Sequence, residues 1–249
     1  MSGHSKWANI KHRKGRQDAI RGKMFTRLAK EITIASREGG GDPGANPRLR
    51  LAMQNARAVN MPNDNITRAI KKGTGELEGV AYEEITYEGY APAGVAVILE
   101  TVTDNRKRTV SEVRSHMGKL GGNMGESNSV IWNFERKGVV NFETAGKSED
   151  DILELVMEAG ADDLIYDTDT CRVECAMDAY GSVYKFFEEK GFNLTESKLE
   201  YLPKQTVNIT DIEDAKKVIR FVEFFEDHDD VQNVFSNFEI DDSIADKLD

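Results

Sequence analysis

The stretch that decides the fold is residues 138–177, which read GVVNFETAGKSEDDILELVMEAGADDLIYDTDTCRVECAM. Alternating apolar residues near both ends are typical of half-buried strands, whereas the part after Ser148 has the apolar spacing of a helix. Continued to residue 202, the pattern predicts the order β-α-β-β-α-β, which is that of a ferredoxin-like unit. We predict its six elements at 138–143, 148–159, 162–167, 171–177, 179–190 and 193–202.

The segments on either side of this unit predict a second α/β region. We expect strands at 84–90, 95–103 and 130–134, a helix that ends at Gly121-Gly122, and then, after the unit, a strand at 206–209, a helix at 211–227 and a strand at 232–240. The last three elements are too few to bury their own faces. They are therefore expected to complete the earlier sheet, so that the ferredoxin-like unit is an insertion. An uninterrupted α+β chain is the alternative.

The first third of the chain has helical periodicity. We predict a helix at 23–38 that ends at Gly39-Gly40-Gly41, a second that starts with Asn46 as cap and Pro47 at its first position, and a third, short helix capped by Asn63 or Asn65 that ends at Gly73. Residues 1–22 show no period and are predicted to form an irregular basic arm. The predicted class is α+β multidomain, with domains at 1–80, at 81–134 plus 206–249, and at 135–205.

The charge of the chain is divided between its two parts. The formal net charge over 249 residues is −11, but residues 1–75 contain 16 Lys/Arg and 5 Asp/Glu, whereas residues 76–249 contain 17 and 39. Such a division favours a polyanionic partner for the basic part. The alternatives are a solvated face and a basic arm that docks on the acidic part of the same chain.

If the basic part binds nucleic acid, its cations contact phosphates and Trp7 stacks on an exposed base. Packing of Trp7 on the helical unit is equally compatible with the sequence. The predicted nucleic-acid-binding residues are Lys6, Trp7, Lys11, His12, Arg13, Lys14, Arg16, Arg21, Lys23, Arg27, Lys30, Arg48, Arg50, Arg68, Lys71 and Lys72.

Two loops of the acidic part contain further candidate contact residues. One of them is the start of a helix that carries Arg106, Lys107 and Arg108. It is either a solvated helix start or a second phosphate-contacting patch, the latter because cations and helix N-termini both favour anions. The loop at 121–129 is glycine-rich and polar, which indicates a simple connection or a surface made for close approach.

No pattern of residues predicts catalysis, a metal site or a cofactor. Cys171 and Cys175 alternate with polar residues in a strand, so burial is expected for both, and two cysteines without a disulfide framework favour a reducing cytoplasm. The four histidines lack ligand spacing. The apolar stretch Val95–Leu99 is too short to span a bilayer.

Short blocks along the whole chain resemble the YebC family. They are 3–14 (GHSKWANIKHRK), 21–25 (RGKMF), 46–50 (NPRLR), 60–62 (NMP), 69–73 (AIKKG), 87–92 (YEGYAP), 103–106 (TDNR), 134–138 (FERKG) and 237–240 (NFEI). The resemblance implies a helical first domain and two α/β domains, the third inserted in the second. It also implies one of two roles, because the family is described as DNA-binding transcriptional regulators and is similar to a mitochondrial translational activator, with members tied to the ribosome.

The sequence thus leads to one main hypothesis and two alternatives. The main hypothesis is a non-enzymatic nucleic-acid-binding regulator of gene expression that acts on DNA through residues 1–75. The first alternative is a translation factor that binds ribosomal RNA, because RNA is commonly recognised by shape and stacking. The second is a protein-interaction module whose basic arm folds back on the acidic part.

Overall fold

The chain folds into a helical unit followed by two sheet-containing units, which confirms the predicted α+β multidomain class. A computed structural model describes residues 17–195, 197–245 and 247–248, with side chains from residue 22 onward. The helices are α1 (Gln17–Gly39), α2 (Pro47–Ala58), α3 (Asn63–Gly73), α4 (Arg106–Lys119), α5 (Glu149–Ala159), α6 (Tyr180–Glu189), α7 (Ile212–Glu226) and α8 (Asp242–Ala245). The strands are β1 (Glu83–Tyr90), β2 (Ala96–Thr103), β3 (Asn123–Met124), β4 (Phe134–Glu143), β5 (Asp163–Tyr166), β6 (Thr170–Ala176), β7 (Lys198–Pro203), β8 (Val207–Ile209), β9 (Val231–Ser236) and β10 (Phe238–Ile240).

Helix α1 begins earlier than its periodicity indicates. It starts at Gln17, so the prediction of an irregular arm is wrong for residues 17–22, while residues 1–16 lie outside the described part of the chain. A glycine such as Gly22 costs a helix only about 1 kcal/mol relative to alanine, which is too little to interrupt a long helix. The predicted end is confirmed, because α1 ends at Gly39 and Gly40 has a positive φ of 84°.

Capping residues set the starts of α2 and α3. The Asn46 side chain accepts a hydrogen bond from the Leu49 amide at 3.0 Å, and Pro47 is the first helical residue, as predicted. The prediction of Asn63 or Asn65 as the cap of α3 is wrong, since Pro62 occupies that position. The ring of Pro62 restricts the backbone at the helix entry, and its carbonyl accepts the amides of Asn65 and Ile66.

Helices α1 and α3 pack very closely at the end of α3. The Thr33 hydroxyl donates to the Ala69 carbonyl at 3.2 Å, and Ala69, Ile32 and Ala35 belong to the buried core of the helical unit. At Gly73 the backbones approach so closely that an added Cβ would lie 2.3 Å from the Thr33 carbonyl oxygen. A glycine at the end of α3 is therefore needed for this close packing.

We expect the Gly73→Ala substitution to lower the free energy of unfolding by about 1–3 kcal/mol, because overpacking forces the two helices apart. Gly118→Ala in α4 is the matched control, since a Cβ there meets no atom within 4 Å outside its own helix. Alanine at that position favours the helix by about 1 kcal/mol. Urea denaturation of both variants measures the difference, and a Gly73→Ala variant as stable as the wild type contradicts the close contact.

The second unit contains a four-stranded antiparallel sheet in the order β3-β1-β2-β9. Strand β9 pairs with β2, so the C-terminal segment returns to the sheet that begins at β1. The predicted single strand at 232–240 is two strands, because β10 leaves this sheet and pairs in parallel with β8. Asn237, between β9 and β10, bonds to both sheets. Its amide and side chain bond to Ala96 of β2, and its carbonyl accepts the amide of Val207 of β8.

The predicted strand at 130–134 is wrong. Ile131–Asn133 form a 3-10 turn, and β4 begins only at Phe134 and continues for ten residues. The amides of Val130 and Ile131 donate to the Glu88 carboxylate rather than to a neighbouring strand, which explains the turn. Val130 and Phe134 are nonetheless buried, against the face of β2 that carries Ala96 and Ile98.

The third unit has the predicted ferredoxin-like topology. Its antiparallel sheet has the order β5-β6-β4-β7, with α5 and α6 as its two helices. The core contains Phe142, Phe187 and Phe192 in mutual ring contact. The last strand starts at 198 rather than 193, and before it Leu194 forms an isolated bridge with Phe142.

Elements of all three units meet at the helical unit. The Asn55 side chain of α2 donates to the Ser197 carbonyl near β7, and Lys30 of α1 donates to the Asp229 carbonyl of the second unit. The domain limits at 80, 134 and 205 stay a prediction. Within the described ranges, no helix combines the length and apolar character that a membrane crossing requires.

Candidate nucleic-acid interface

The described part of the chain contains only some of the predicted nucleic-acid-binding residues. Those that lie outside it are Lys6, Trp7, Lys11, His12, Arg13, Lys14 and Arg16. Arg21 lies on α1, but its side chain is outside the described part. Of the predicted residues, the side chains from Lys23 to Lys72 and those of Arg106, Lys107 and Arg108 belong to the described part.

Lys30 is buried in contacts with the second unit. Its ammonium group is 3.3 Å from the Asp230 carboxylate and donates to the carbonyls of Asp229 at 2.8 Å and Val102 at 3.2 Å. Only 11% of the Lys30 side chain and 8% of the Asp230 side chain are exposed. Lys30 thus holds α1 against β2 and the segment after α7, and it does not face solvent.

Asp230 also binds the start of α4. Its second carboxylate oxygen accepts from the Arg108 guanidinium and from the Thr109 hydroxyl, both at 2.8 Å. Burial alone would raise the pKa of Asp230, but the hydrogen bonds from Arg108 and Thr109 and the charge of Lys30 lower it. We call Lys30, Arg108, Thr109 and Asp230 the Asp230 hub.

Of the three cations predicted to form a second patch, Arg108 belongs to the Asp230 hub, whereas Arg106 and Lys107 do not. Arg108 also bonds to Asp104 at 2.9 Å, so its charge is neutralised by carboxylates on two sides. Arg106 and Lys107 are exposed, and no ion pair links them to another residue of the described ranges. Only these two of the three predicted residues are therefore available to a phosphate.

Lys23 and Arg48 likewise contact acidic residues. Lys23 pairs with Asp227 at 3.0 Å on the surface. Arg48 bonds to Glu31, Glu38 and Glu84, the last of which belongs to β1. Burial opposes the charge of Arg48, but the hydrogen bonds to Glu84 and Glu31 outweigh it and raise the pKa. Arg48 therefore links the helical unit to the second unit.

Arg27 and Arg50 line a cleft of about 2990 Å³ between the units. Arg50 is exposed and donates to the carbonyls of Pro43 and Gly44, so its charge is not neutralised by these contacts. The cleft wall also carries acidic residues such as Glu100 and Glu223. Because its walls carry both positive and negative charges, the cleft is a poor match to a continuous polyanion.

Helix α3 presents cations that the rest of the protein leaves available. Arg68, Lys71 and Lys72 are exposed, and none of them forms an ion pair with another described residue. The buried face of α3 carries Ile66 and Ala69, so the helix is fixed while its basic residues face outward. We call Arg68, Lys71 and Lys72 the α3 patch.

Sequence reasoning missed the acidic partners of these cations. The pair Asp229-Asp230 follows α7 and has the pattern of a solvated helix end, yet Asp230 is the centre of a buried network. Glu84, near the start of a strand, carries no local signal either. Both act through residues distant in the chain, which periodicity and spacing do not reveal.

The glycine-rich loop at 121–129 is shaped by Glu88. This carboxylate is buried, and it accepts the backbone amides of Asn128 at 2.6 Å, Val130 at 2.8 Å and Ile131 at 2.9 Å. The loop therefore closes over the sheet. Trp132, which follows it, remains 62% exposed, with its indole N–H bonded to the Ser129 carbonyl.

The cysteines are buried, as predicted. Burial raises the pKa of Cys171 to about 12 and that of Cys175 to about 11, so both thiols stay protonated at neutral pH. Across the described part of the chain, no three His, Cys, Asp or Glu side chains are grouped as metal ligands would be.

Comparison with known proteins places this architecture in one family. Residues 5–76 match the model described as TACO1/YebC protein N-terminal domain, and residues 82–238 match TACO1/YebC second and third domain. A probable transcriptional regulatory protein of Desulfotalea psychrophila is 50% identical over 248 residues, covering 100% of this chain and 99% of that protein. One with the same description from Petrotoga mobilis is 52% identical over 252 residues, covering 100% and 98%.

A solved structure agrees with these matches. The crystal structure of a conserved hypothetical protein from Aquifex aeolicus is similar with a TM-score of 0.85 and 45% sequence identity. The similarity covers 92% of this chain and 95% of the other. Sequence, domain order and three-dimensional structure thus lead to the same conclusion: this chain belongs to the TACO1/YebC family.

Proposed function

We propose that this protein is a nucleic-acid-binding regulator of gene expression that acts in the cytoplasm without catalysing a reaction. The names of its relatives, which describe probable transcriptional regulatory proteins, support a regulatory role. The charge division supports a polyanionic partner, since residues 1–75 carry 16 Lys/Arg against 5 Asp/Glu. DNA is the target that the relatives' names favour.

The observation that carries the proposal is the contrast between α1 and α3. Lys23 and Lys30 of α1 are bonded to carboxylates, whereas the cations of the α3 patch are exposed and without such partners. An unpaired surface cation can replace a counterion condensed on the nucleic acid without first breaking an internal ion pair. The α3 patch is therefore the best described candidate for phosphate contact.

Ribosomal RNA is the second candidate target, and the size of α3 favours it. The helix has 11 residues, or about 16 Å, and only three cations face outward. In a helix that reads a DNA major groove the N-terminal residues face the DNA, whereas α3 carries the acidic Asp64 in its first turn and Lys71 and Lys72 in its last. Recognition by shape and phosphate contacts, which is common for RNA, needs no such reading helix.

The ion pairs of Lys23 and Lys30 bear on the remaining alternative, a protein-interaction module. They show basic side chains of the helical unit bound to the acidic second unit of the same chain. Under that alternative the α3 patch has no role in polyanion binding, so its removal should leave any residual binding to nucleic acid unchanged.

The proposal is tested by the triple variant Arg68→Ala, Lys71→Ala, Lys72→Ala. We expect it to bind duplex DNA or purified ribosomes more weakly, with the slope of log K against log salt reduced by roughly 2.7 on duplex DNA, about 0.9 per lost contact. The matched control is Lys185→Ala, Lys216→Ala, Lys217→Ala, which removes the same charge from exposed helix positions with weak local ion pairs.

Fluorescence anisotropy with a duplex DNA and co-sedimentation with ribosomes, each between 50 and 200 mM salt, distinguish the two targets. Salt-sensitive binding to only one of them identifies it. Equal slopes for the α3 variant, the control and the wild type would show that α3 does not contact the polyanion. Absence of wild-type binding to both would contradict the proposed function.

A further inference from the structure

We propose that the outward face of α4 is a second surface for a nucleic-acid phosphate backbone, separate from the α3 patch. The inference rests on the proposed function and adds a binding surface on a different unit. It is carried by the residues Lys107, Arg114 and Lys119, which we call the α4 face, with the exposed Arg106 at the start of the same helix.

Helix α4 has a local excess of positive charge within the acidic part of the chain. Residues 106–119 contain five Lys/Arg and one Asp/Glu, whereas the rest of residues 76–249 contains 12 Lys/Arg and 38 Asp/Glu. The single acidic residue, Glu112, is already flanked by Arg108 at 3.9 Å and by His228 at 3.6 Å. The local positive charge is therefore not cancelled within the helix.

The side chains of α4 separate cleanly into two faces. Thr109, Val113 and Met117 recur every four residues and are buried against the sheet. On the opposite side Ser111, Ser115 and Gly118 are exposed. Lys107 and Arg114 lie along one flank of these small residues, and Lys119 lies along the other. Lys107 and Lys119 are separated by about 18 Å along the axis, at 1.5 Å per residue.

The cations of the α4 face are available to bind a partner molecule. Arg106, Lys107, Arg114 and Lys119 are exposed, and in the described ranges none of them has an acidic partner. Arg108, at the same end of the helix, shows the opposite arrangement, because it is bound to Asp104 and Asp230. Arg108 fixes the position of the helix, and its neighbours point to solvent.

The composition of this face favours nucleic acid over an acidic protein. Its exposed side chains are Lys, Arg and Ser apart from Glu112, which pairs with Arg108, and no apolar or aromatic residue is exposed among them. Protein interfaces usually have an apolar and aromatic centre. Phosphate oxygens, in contrast, are contacted mainly by Lys, Arg and hydroxyl side chains. Small residues between the cations also allow a backbone to approach closely.

The Asp230 hub holds the α4 face in a fixed relation to the α3 patch. Lys30 binds Asp230, and Thr33, one turn later on the same face of α1, donates to Ala69 of α3. The two basic surfaces are thus attached to one side of one helix. A polyanion held at both gains affinity from the second contact through effective concentration.

The test is the triple variant Lys107→Ala, Arg114→Ala, Lys119→Ala, measured by fluorescence anisotropy with a 20-nucleotide single-stranded RNA and a 20-base-pair duplex DNA. We expect the slope of log K against log salt to fall by about 2.1 for the RNA or 2.7 for the duplex. Each single substitution should remove about a third of that amount. A thermal melt confirms folding, and Lys185→Ala, Lys216→Ala, Lys217→Ala is again the charge-matched control.

The outcomes separate this inference from the proposed function. If the α4 variant keeps the wild-type slope while the α3 variant loses slope, the α4 face is not a contact, although the proposed function stands. If the α4 variant and the control lose slope equally, the effect is one of net charge and the inference fails. Loss of slope only in the α4 variant supports the α4 face and contradicts the assignment to α3. No binding by the wild type contradicts both.

Discussion

Replacing Asp230 by Ala is expected to lower the free energy of unfolding by about 3–5 kcal/mol, because it removes one partner of a buried ion network. The substitution leaves Lys30, 11% exposed, beside Arg108 with no carboxylate between them. It also leaves the Thr109 hydroxyl with fewer acceptors. Lys30 keeps its bonds to the carbonyls of Val102 and Asp229, which limits the loss.

Asp227→Ala is the matched control, because the same segment offers a second aspartate that binds a lysine of α1. Asp227 is 75% exposed and pairs with Lys23 at 3.0 Å. A solvent-exposed pair contributes about 0–1 kcal/mol, so this variant should be nearly as stable as the wild type. Urea denaturation of both variants gives the comparison. Equal losses would show that burial of the hub has no energetic consequence.

The difference between wild type and the Asp230→Ala variant should also depend on pH. The pKa of Asp230 is lower in the folded protein than in the unfolded chain. Its contribution is therefore complete above the unfolded value, about 4, and is lost as the pH falls toward the folded value. Denaturation at pH 7, 5 and 3 should show a constant difference at the first two and a smaller one at pH 3.

Local patterns predicted the elements of this fold well, and failed where contacts between distant residues decide the backbone. Alternation and helical spacing of apolar residues are enough to predict β4 to β7 and the two helices between them, because each of these elements buries one face. They do not reveal that Asn237 divides the last strand between two sheets, or that Glu88 bends 131–133 into a turn. Both effects depend on a few hydrogen bonds between segments far apart in the sequence.

The candidate site shows the same limit. A count of charges finds the basic part of the chain, but it treats Lys30 and Lys71 alike. The structure gives Lys30 a buried carboxylate partner and leaves Lys71 in solvent. Arg114 and Lys119 could have been found from sequence, since both belong to the predicted helix and Arg114 lies two turns after Lys107. Their significance depends on which face the sheet buries, and that requires the fold.

We expect Glu88→Ala to lower the free energy of unfolding by about 3–4 kcal/mol, because three backbone amides lose a charged acceptor in a buried site. Glu88 is 6% exposed, and its carboxylate accepts from the amides of Asn128, Val130 and Ile131 at 2.6–2.9 Å. Glu88→Gln should recover only part of the loss, since an amide offers one acceptor oxygen and places an NH₂ group against the remaining N–H donors.

Hydrogen exchange locates the effect of this substitution. The amides of Asn128, Val130 and Ile131 should exchange faster in the Glu88→Ala variant, whereas those of α5 in the third unit should change only with global stability. Glu126→Ala is the control, because Glu126 lies exposed in the same loop. Unchanged protection of the three amides would mean that the loop holds its shape without the carboxylate. Faster exchange confined to them would show that one buried glutamate orders the path from β3 to β4, and with it the exposed Trp132.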